Sequence, residues 1–214
     1  MSERPTIAAL RTLVSAWTPP ERRSGTGVPT GVRAIDSALG GGLAPGRLTE
    51  LVAAPGTGGQ TVLARLFATL RKARQRVALI DATDAFVPEA FAPDELRHLV
   101  WARARTLAEA LVVADLLVRD GNFAVVVLDL REVPVRELNR TPKSSWHRLH
   151  RLAERQPAAV LVPTSHPLVP AVPWRLRLDR PLLLADRQQS REALADGLEI
   201  EVERGAGWAA ELAG

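Results

Sequence analysis

Apolar and polar positions along the chain follow two patterns in alternation. Residues 77–81 and 123–128 are short and almost continuously apolar, which is typical of strands buried on both faces of a sheet. Residues 61–74 and 106–119 repeat apolar positions every three or four residues, as an amphipathic helix does. On the same grounds we predict strands over 47–53, 99–101, 158–162, 174–178 and 198–202, and a helix over 144–155 with Ser144 as its cap.

Strands and helices that alternate in this way predict an α/β fold, in which helices flank a mostly parallel sheet. We expect the late strands to be antiparallel. In sheets of this kind, ligands bind beyond the carboxyl ends of the parallel strands. The loops that follow the strands are therefore the places to search for functional residues.

The first 27 residues stand apart from the alternation. Apolar spacing predicts a short amphipathic helix over 6–17, ended by Pro19 and Pro20, and the polar stretch after it reads as a linker. We divide the chain into this helix and linker, residues 1–27, and one core domain, residues 28–214. A helix this short is not stable alone, so it docks on its own core or on a partner. The candidate contact residues are Ile7, Leu10, Leu13, Val14 and Trp17.

Composition excludes several kinds of site. The chain has no cysteine and four histidines, so disulfides and thiolate metal sites are absent and we expect no metal centre. It has no run of about 18 apolar residues and no signal-peptide pattern, which predicts a cytoplasmic protein without a membrane segment. The net charge is +4, and residues 131–155 are basic whereas residues 192–214 are acidic. A basic segment favours an anionic partner, and a solvated helix face is the plainer alternative.

One loop carries an altered phosphate-binding motif. A working loop reads G-x-x-x-x-G-K-[ST] and cradles phosphates with its backbone N–H groups. Here Ala54 replaces the first glycine and Gln60 replaces the lysine. Losing that charged contact costs about 1.5–3 kcal/mol of phosphate affinity. We predict weak nucleotide binding at most and no bound cofactor. The vestigial loop comprises Gly56, Gly58, Gly59, Gln60 and Thr61.

Two further positions of a nucleotide site can be checked in the sequence. Asp129 ends a predicted strand, where a carboxylate would hold Mg²⁺, although an aspartate there is also a common turn cap. Thr83 follows another strand where the base that activates water is expected, and loss of such a base costs about 10²–10⁴ in rate. We therefore predict no catalytic residue. A slow ATPase, with Arg65 in place of the missing lysine, stays open as an alternative.

Several segments resemble the RecA superfamily. Residues 30–51 are similar to the segment that leads into the RecA ATPase core, and I-D-A-T at 80–83 resembles the RecA segment I-D-A-E, with Thr83 at the catalytic glutamate. Residues 99–111 are especially similar to ImuA proteins, which carry an L-x-W-x-R-x-x-T-x-x-E-A-L pattern. Arg119-Asp120-Gly121 matches the R-x-G that ends the following helix. The resemblance runs from about residue 28 to residue 205.

The resemblance implies a RecA-like core and a non-catalytic accessory role in SOS-induced, error-prone translesion DNA synthesis. It implies three partners, namely RecA, an ImuB-like protein and an error-prone C-family DNA polymerase. It also implies a cytoplasmic protein that associates with the nucleoid during DNA damage. In RecA an N-terminal helix packs on the neighbouring subunit, so the helix over 6–17 is expected to contact RecA.

Two alternatives concern DNA and cell division. RecA places DNA-contacting loops where this chain has the short, basic residues 131–143 and the proline-rich residues 165–173, which puts RecA-style filament binding in doubt. Weak DNA binding through the basic segment is still an alternative, with Trp146 available to stack on a base or to join the core. A SulA-type cell-division inhibitor is another alternative, against which the preserved loop outline argues. The candidate phosphate contacts are Arg131, Arg136, Arg140, Lys143, Arg148 and Arg151.

Overall fold

The computed structural model describes residues 27–183 and 185–205. The predicted helix over 6–17, with its contact residues Ile7, Leu10, Leu13, Val14 and Trp17, lies outside the described residues. The strands are β1 Leu48–Ala53, β2 Val77–Asp81, β3 Leu99–Arg103, β4 Val125–Asp129, β5 Ala159–Thr164, β6 Trp174–Leu178 and β7 Glu201–Arg204. The helices are α1 Arg33–Ala38, α2 Gly59–Lys72, α3 Leu107–Asp120, α4 Val135–Leu138, α5 Lys143–Ala153 and α6 Arg191–Asp196, with 3₁₀ turns at Pro88–Ala90 and Asp186–Gln188.

The strands form one sheet in the order β3-β2-β4-β5-β1-β6-β7. All neighbouring pairs are parallel except β6 and β7, in which Trp174 lies opposite Arg204. The predicted α/β architecture is confirmed, although only the last strand runs antiparallel. No helix among the described residues is long and apolar enough to cross a membrane.

Side-chain alternation along the strands divides the core between the two faces of the sheet. Ala78 and Ile80 of β2 belong to one cluster with α3 and α5, whereas Val77 and Leu79 belong to the other with α1 and α2. Each strand of the sheet centre is buried on both faces, which explains the continuous apolar runs in the sequence.

Helix ends were predicted with mixed success. Thr106 caps α3 by accepting a hydrogen bond from the Glu109 amide, and Gly121 ends it with φ of 72°. The prediction that Ser144 caps the next helix is wrong, because α5 begins at Lys143 and Pro142, with φ of −59°, occupies the cap position. A proline already has the φ that a helix start requires.

The last part of the chain also differs from the prediction. The final strand begins at Glu201 and not at residue 198, because the short helix α6 precedes it and the connection runs through Leu198. Ser190 caps α6 by accepting a hydrogen bond from the Ala193 amide. A helix of only six residues is too short to give a clear apolar period, so the sequence pattern did not indicate it.

The proline-rich connection from β5 to β6 is held down on the sheet by Glu50 of β1, which is fully buried. One carboxylate oxygen accepts hydrogen bonds from the Thr164 hydroxyl (3.2 Å) and from the amides of Leu168 (2.7 Å) and Val169 (3.1 Å). The other accepts from Arg175 Nε at 2.7 Å. The segment that would be the second DNA-contacting loop is therefore a structural crossover.

Candidate functional site

The loop between β1 and α2 keeps the shape of a phosphate loop. Gly56 and Gly58 have φ of 82° and 100°, values that disfavour residues with a side chain. The Thr57 hydroxyl donates to the Ala54 carbonyl at 2.8 Å, which closes the turn. A cleft of about 530 Å³ opens beside it. The loop that carries the altered motif thus lies at the carboxyl end of β1.

Arg131 lies beside the loop and pairs with Asp129, the carboxylate that was considered as a Mg²⁺ ligand. Its Nε and Nη2 donate to the two carboxylate oxygens of Asp129 at 2.9 and 2.6 Å, and Nη2 also donates to Gln60 Oε1 at 3.0 Å. Burial of the guanidinium opposes its charge, but the hydrogen bonds and the negative charge of Asp129 raise the pKa of Arg131. One arginine therefore connects the end of β4 to the start of α2.

The Arg131 side chain also packs directly on the loop backbone. A Cβ added at Gly59 would lie 3.2 Å from Arg131 Nη1 and 2.7 Å from the Ala53 Cβ. Glycine is therefore required at position 59 by this packing, independently of any phosphate. The side chains of Arg131 and Asp129 are 17% and 15% exposed, so the ion pair is largely shielded from water.

A magnesium nucleotide, which a working loop of this kind would hold, does not fit these residues. Mg²⁺ binds through carboxylate and phosphate oxygens, and both oxygens of Asp129 are already paired with Arg131. Gln60 offers no charge to a phosphate, and Glu132 adds a negative one to the cleft wall. The arrangement leaves the cleft without net positive charge.

The turn after β2 is organised by Asp81, which is 2% exposed. Its carboxylate accepts hydrogen bonds from the amides of Thr83 (3.2 Å), Ala85 (3.1 Å) and Phe86 (2.9 Å) and from Trp101 Nε1 (3.3 Å). Thr83 lines the cleft in this turn. Trp101, which stood out in the sequence, thus helps to fix the segment where a catalytic carboxylate would lie.

Two other charged residues that the sequence singled out form contacts away from the loop. Asp84 lies next to Thr83, and its carboxylate is 3.5 Å from Arg103 Nη1. Arg65, the sequence-based substitute for the lysine, donates to the Gly31 carbonyl (3.3 Å) and to Glu192 (2.9 Å). The cation that reaches the loop is Arg131, which the sequence analysis assigned to nucleic acid. Its position two residues after Asp129 was the available signal, because a cation so near in the chain can reach that carboxylate.

The segment between β6 and β7 also contacts the loop. The Leu182 amide donates to the Gly56 carbonyl at 2.8 Å. A Cβ added at Gly58 would lie 2.6 Å from Leu198 Cδ2. The loop is therefore in contact with its own chain on both sides.

The six basic residues proposed as phosphate contacts differ in whether they have an acidic partner. Arg131 is committed to Asp129, and Arg148 pairs with Asp115 at 3.0 Å. Trp146 is 2% exposed and packs in the core, so stacking on a base is excluded. The remaining four side chains are exposed and have no acidic partner among the described residues. They are Arg136, Arg140, Lys143 and Arg151.

Comparison with known proteins matches residues 20–144 to the RecA N-terminal domain. RecA of Streptomyces avermitilis is 35% identical over 106 residues, which cover 48% of this chain and 28% of that protein. RecA of Clavibacter michiganensis subsp. michiganensis is 37% identical over the same length, covering 48% and 29%. RecA of Frankia alni is 37% identical, covering 48% and 30%. The chain thus spans less than a third of the length of these relatives.

The fold has a counterpart among solved structures. The crystal structure of the RadB recombinase superposes with a TM-score of 0.56 and 24% sequence identity, covering 72% of this chain and 85% of that one. At this identity the likeness establishes the fold and nothing more.

Proposed function

This chain belongs to the RecA N-terminal domain family, and from that premise we propose that it is a non-catalytic RecA-like accessory, a pseudo-ATPase that works through protein contacts. The observation that carries the proposal is a loop with the glycines of a phosphate loop, in which Gln60 stands at the lysine position, together with Thr83 at the glutamate position in the turn after β2. Loss of the general base alone lowers a rate by about 10²–10⁴. A second loss, of the charge that holds the phosphates, leaves the cleft without the means for turnover.

The proposed setting is SOS-induced, error-prone translesion synthesis, as in ImuA proteins. The support is the similarity of residues 99–111 to the ImuA pattern, in which Trp101 is bonded to Asp81 beneath the altered turn. The proposed partners are RecA, an ImuB-like protein and an error-prone C-family polymerase. The proposed location is the cytoplasm, with association to the nucleoid during DNA damage.

ATP hydrolysis tests the non-catalytic part of the proposal. We expect the purified chain with ATP and Mg²⁺ to release phosphate no faster than a protein-free control. Gln60→Lys is expected to stay inactive as well, because Thr83 still supplies no carboxylate and Asp129 remains paired with Arg131. Phosphate release and equilibrium binding of labelled ATP are the measurements. Hydrolysis by the native chain that disappears in Thr61→Ala would overturn the proposal.

A different observation favours a second candidate, direct binding of nucleic acid. Most arginines elsewhere in the described chain have a carboxylate partner, for example Arg71 with Asp94 and Arg180 with Glu199. On α4, α5 and the turn between them, Arg136, Arg140, Lys143 and Arg151 have none among the described residues. An exposed basic surface without acidic neighbours among the described residues is consistent with an anionic partner.

Binding to RecA in the absence of DNA separates the two candidates. If the accessory role is right, Leu10→Glu combined with Leu13→Glu is expected to weaken binding of RecA at least about tenfold, or 1.4 kcal/mol. The reason is that two charges on the apolar helix face prevent it from being buried. Surface-immobilised RecA titrated with each variant gives the affinities.

Two variants complete that experiment. Thr12→Glu lies on the opposite face of the same predicted helix and is expected to bind RecA like the native chain. Arg140→Gln combined with Arg151→Gln is expected to leave RecA binding intact. The accessory proposal fails if the native chain does not bind RecA. The nucleic-acid candidate replaces it if the chain instead binds single-stranded DNA with an affinity that falls steeply with salt.

A further inference from the structure

We infer that Arg131 is the resident cation of the phosphate loop, which takes the place of metal and nucleotide and holds the loop in one conformation without a ligand. The inference rests on the proposed non-catalytic function. It adds which contacts hold the loop in place when no nucleotide is bound. It concerns three elements that a bound nucleotide would otherwise join, namely the end of β4, the start of α2 and the loop between β1 and α2.

The contacts of Arg131 reach two of these elements directly. The guanidinium pairs with both oxygens of Asp129 on β4 and with the amide oxygen of Gln60 on α2. Its position over Gly59 adds packing against the loop itself. A planar guanidinium can make these bonds simultaneously, whereas a lysine ammonium lacks the forked geometry. Glutamine at position 60 suits this arrangement, because its amide oxygen accepts from Arg131 whereas a lysine there would repel Arg131.

Electrostatics opposes exchange of Arg131 for a metal ion. To bind Mg²⁺, Asp129 would have to release a guanidinium that is only 17% exposed and that would lose its carboxylate partner. Removing one member of a shielded ion pair leaves the other charge uncompensated, which is strongly unfavourable. Glu132 on the cleft wall further disfavours a triphosphate. The guanidinium of Arg131 therefore already balances the charge of the Asp129 carboxylate beside the loop.

The opposite side of the loop is closed by apolar residues. The hydrogen bond from the Leu182 amide occupies the Gly56 carbonyl, and Leu198 packs against Gly58. These residues belong to the segment between β6 and β7, far from Arg131 in the sequence. The loop is thus in contact with Arg131 and with this later segment of the chain.

Thermal unfolding with and without ligand tests the inference. The native midpoint is expected to be unchanged by millimolar MgCl₂, ADP or both. Arg131→Gln is expected to unfold about 4–10 °C lower, because Asp129 is left unpaired. MgCl₂ alone is then expected to raise the midpoint of this variant, since the carboxylate is free to bind the ion. Asp129→Asn is expected to unfold at a lower temperature and to show no response to MgCl₂.

Controls make each outcome decisive. Arg136→Gln removes an exposed arginine without an acidic partner in the described chain and is expected to unfold with the native midpoint. Arg131→Lys retains a cation and is expected to fall between native and Arg131→Gln, which covers the case in which the glutamine variant does not fold. A native midpoint that rises with MgCl₂ or ADP, or an Arg131→Lys protein as stable as native, overturns the inference. RecA binding is measured separately, so a failure of the accessory role is distinguishable from a failure here.

Discussion

Glu50→Ala is expected to lower the free energy of unfolding by about 3–5 kcal/mol, the usual cost of removing one member of a buried ion pair. Glu50 is fully buried, and its carboxylate accepts four hydrogen bonds from the β5–β6 crossover and from Arg175. Although burial opposes the charge of Arg175, the hydrogen bond and charge of Glu50 raise the pKa of this arginine. Without the carboxylate, the amides of Leu168 and Val169 lose their acceptor, and Arg175 keeps only Glu203 and the Val169 carbonyl.

Urea denaturation measures this change, and two variants calibrate it. Glu50→Gln keeps one acceptor oxygen and is expected to cost less than alanine, because only the Arg175 side of the network is lost. Glu203→Gln removes a partly exposed partner of the same arginine and is expected to cost under about 1 kcal/mol. Faster hydrogen exchange at Leu168 and Val169 in Glu50→Ala would accompany the loss. Equal stability of Glu50→Ala and Glu203→Gln would contradict the role assigned to Glu50.

Asp81→Ala is expected to destabilise the chain by about 3 kcal/mol or more, since each buried donor left without an acceptor costs about 1–3 kcal/mol. The donors are the amides of Thr83, Ala85 and Phe86 and the indole N–H of Trp101. The turn that carries Thr83 into the cleft is expected to loosen at the same time. Faster hydrogen exchange at Phe86 is the local sign of this change.

The neighbouring aspartate is the control for Asp81. Asp84 is exposed and has φ of 58°, a conformation that asparagine also adopts readily. Asp84→Asn is therefore expected to change the free energy of unfolding by less than about 1 kcal/mol. Chemical denaturation of both variants gives the comparison. An Asp81→Ala protein no less stable than Asp84→Asn would show that the turn is held by other contacts.

Elements with strong local signals were predictable. Thr106 marks the start of α3 by capping it with its side chain, and Gly121 marks its end by adopting a positive φ. Both are properties of the residues themselves. The short helix α6 and the true start of β7 were missed, because six residues give too few turns for a period to emerge. The predicted cap at Ser144 was wrong for a different reason, because Pro142, two residues earlier, also suits the start of a helix.

The candidate site depended on distant pairings. Gln60 at the lysine position of the loop motif, and Thr83 at the glutamate position of the RecA-like segment 80–83, were readable from the sequence alone. The contact between Arg131 and Gln60 was not readable, because the two residues are 71 positions apart and only the packing of β4 beside the loop brings them together. The same holds for Glu50 and Arg175, which are 125 positions apart.

The sequence by itself determined the alternation of strands and helices and the residue types along the loop at 54–61 and in the segment 80–83, since these depend on local periodicity and residue chemistry. The tertiary structure alone decided which charges are neutralised. Arg148 is paired with Asp115, 33 positions away, whereas Arg140 and Arg151 have no acidic partner among the described residues, and no local pattern distinguishes these arginines. The physical reason is that an ion pair depends on distance across the fold, which the register of the sheet and the packing of helices set.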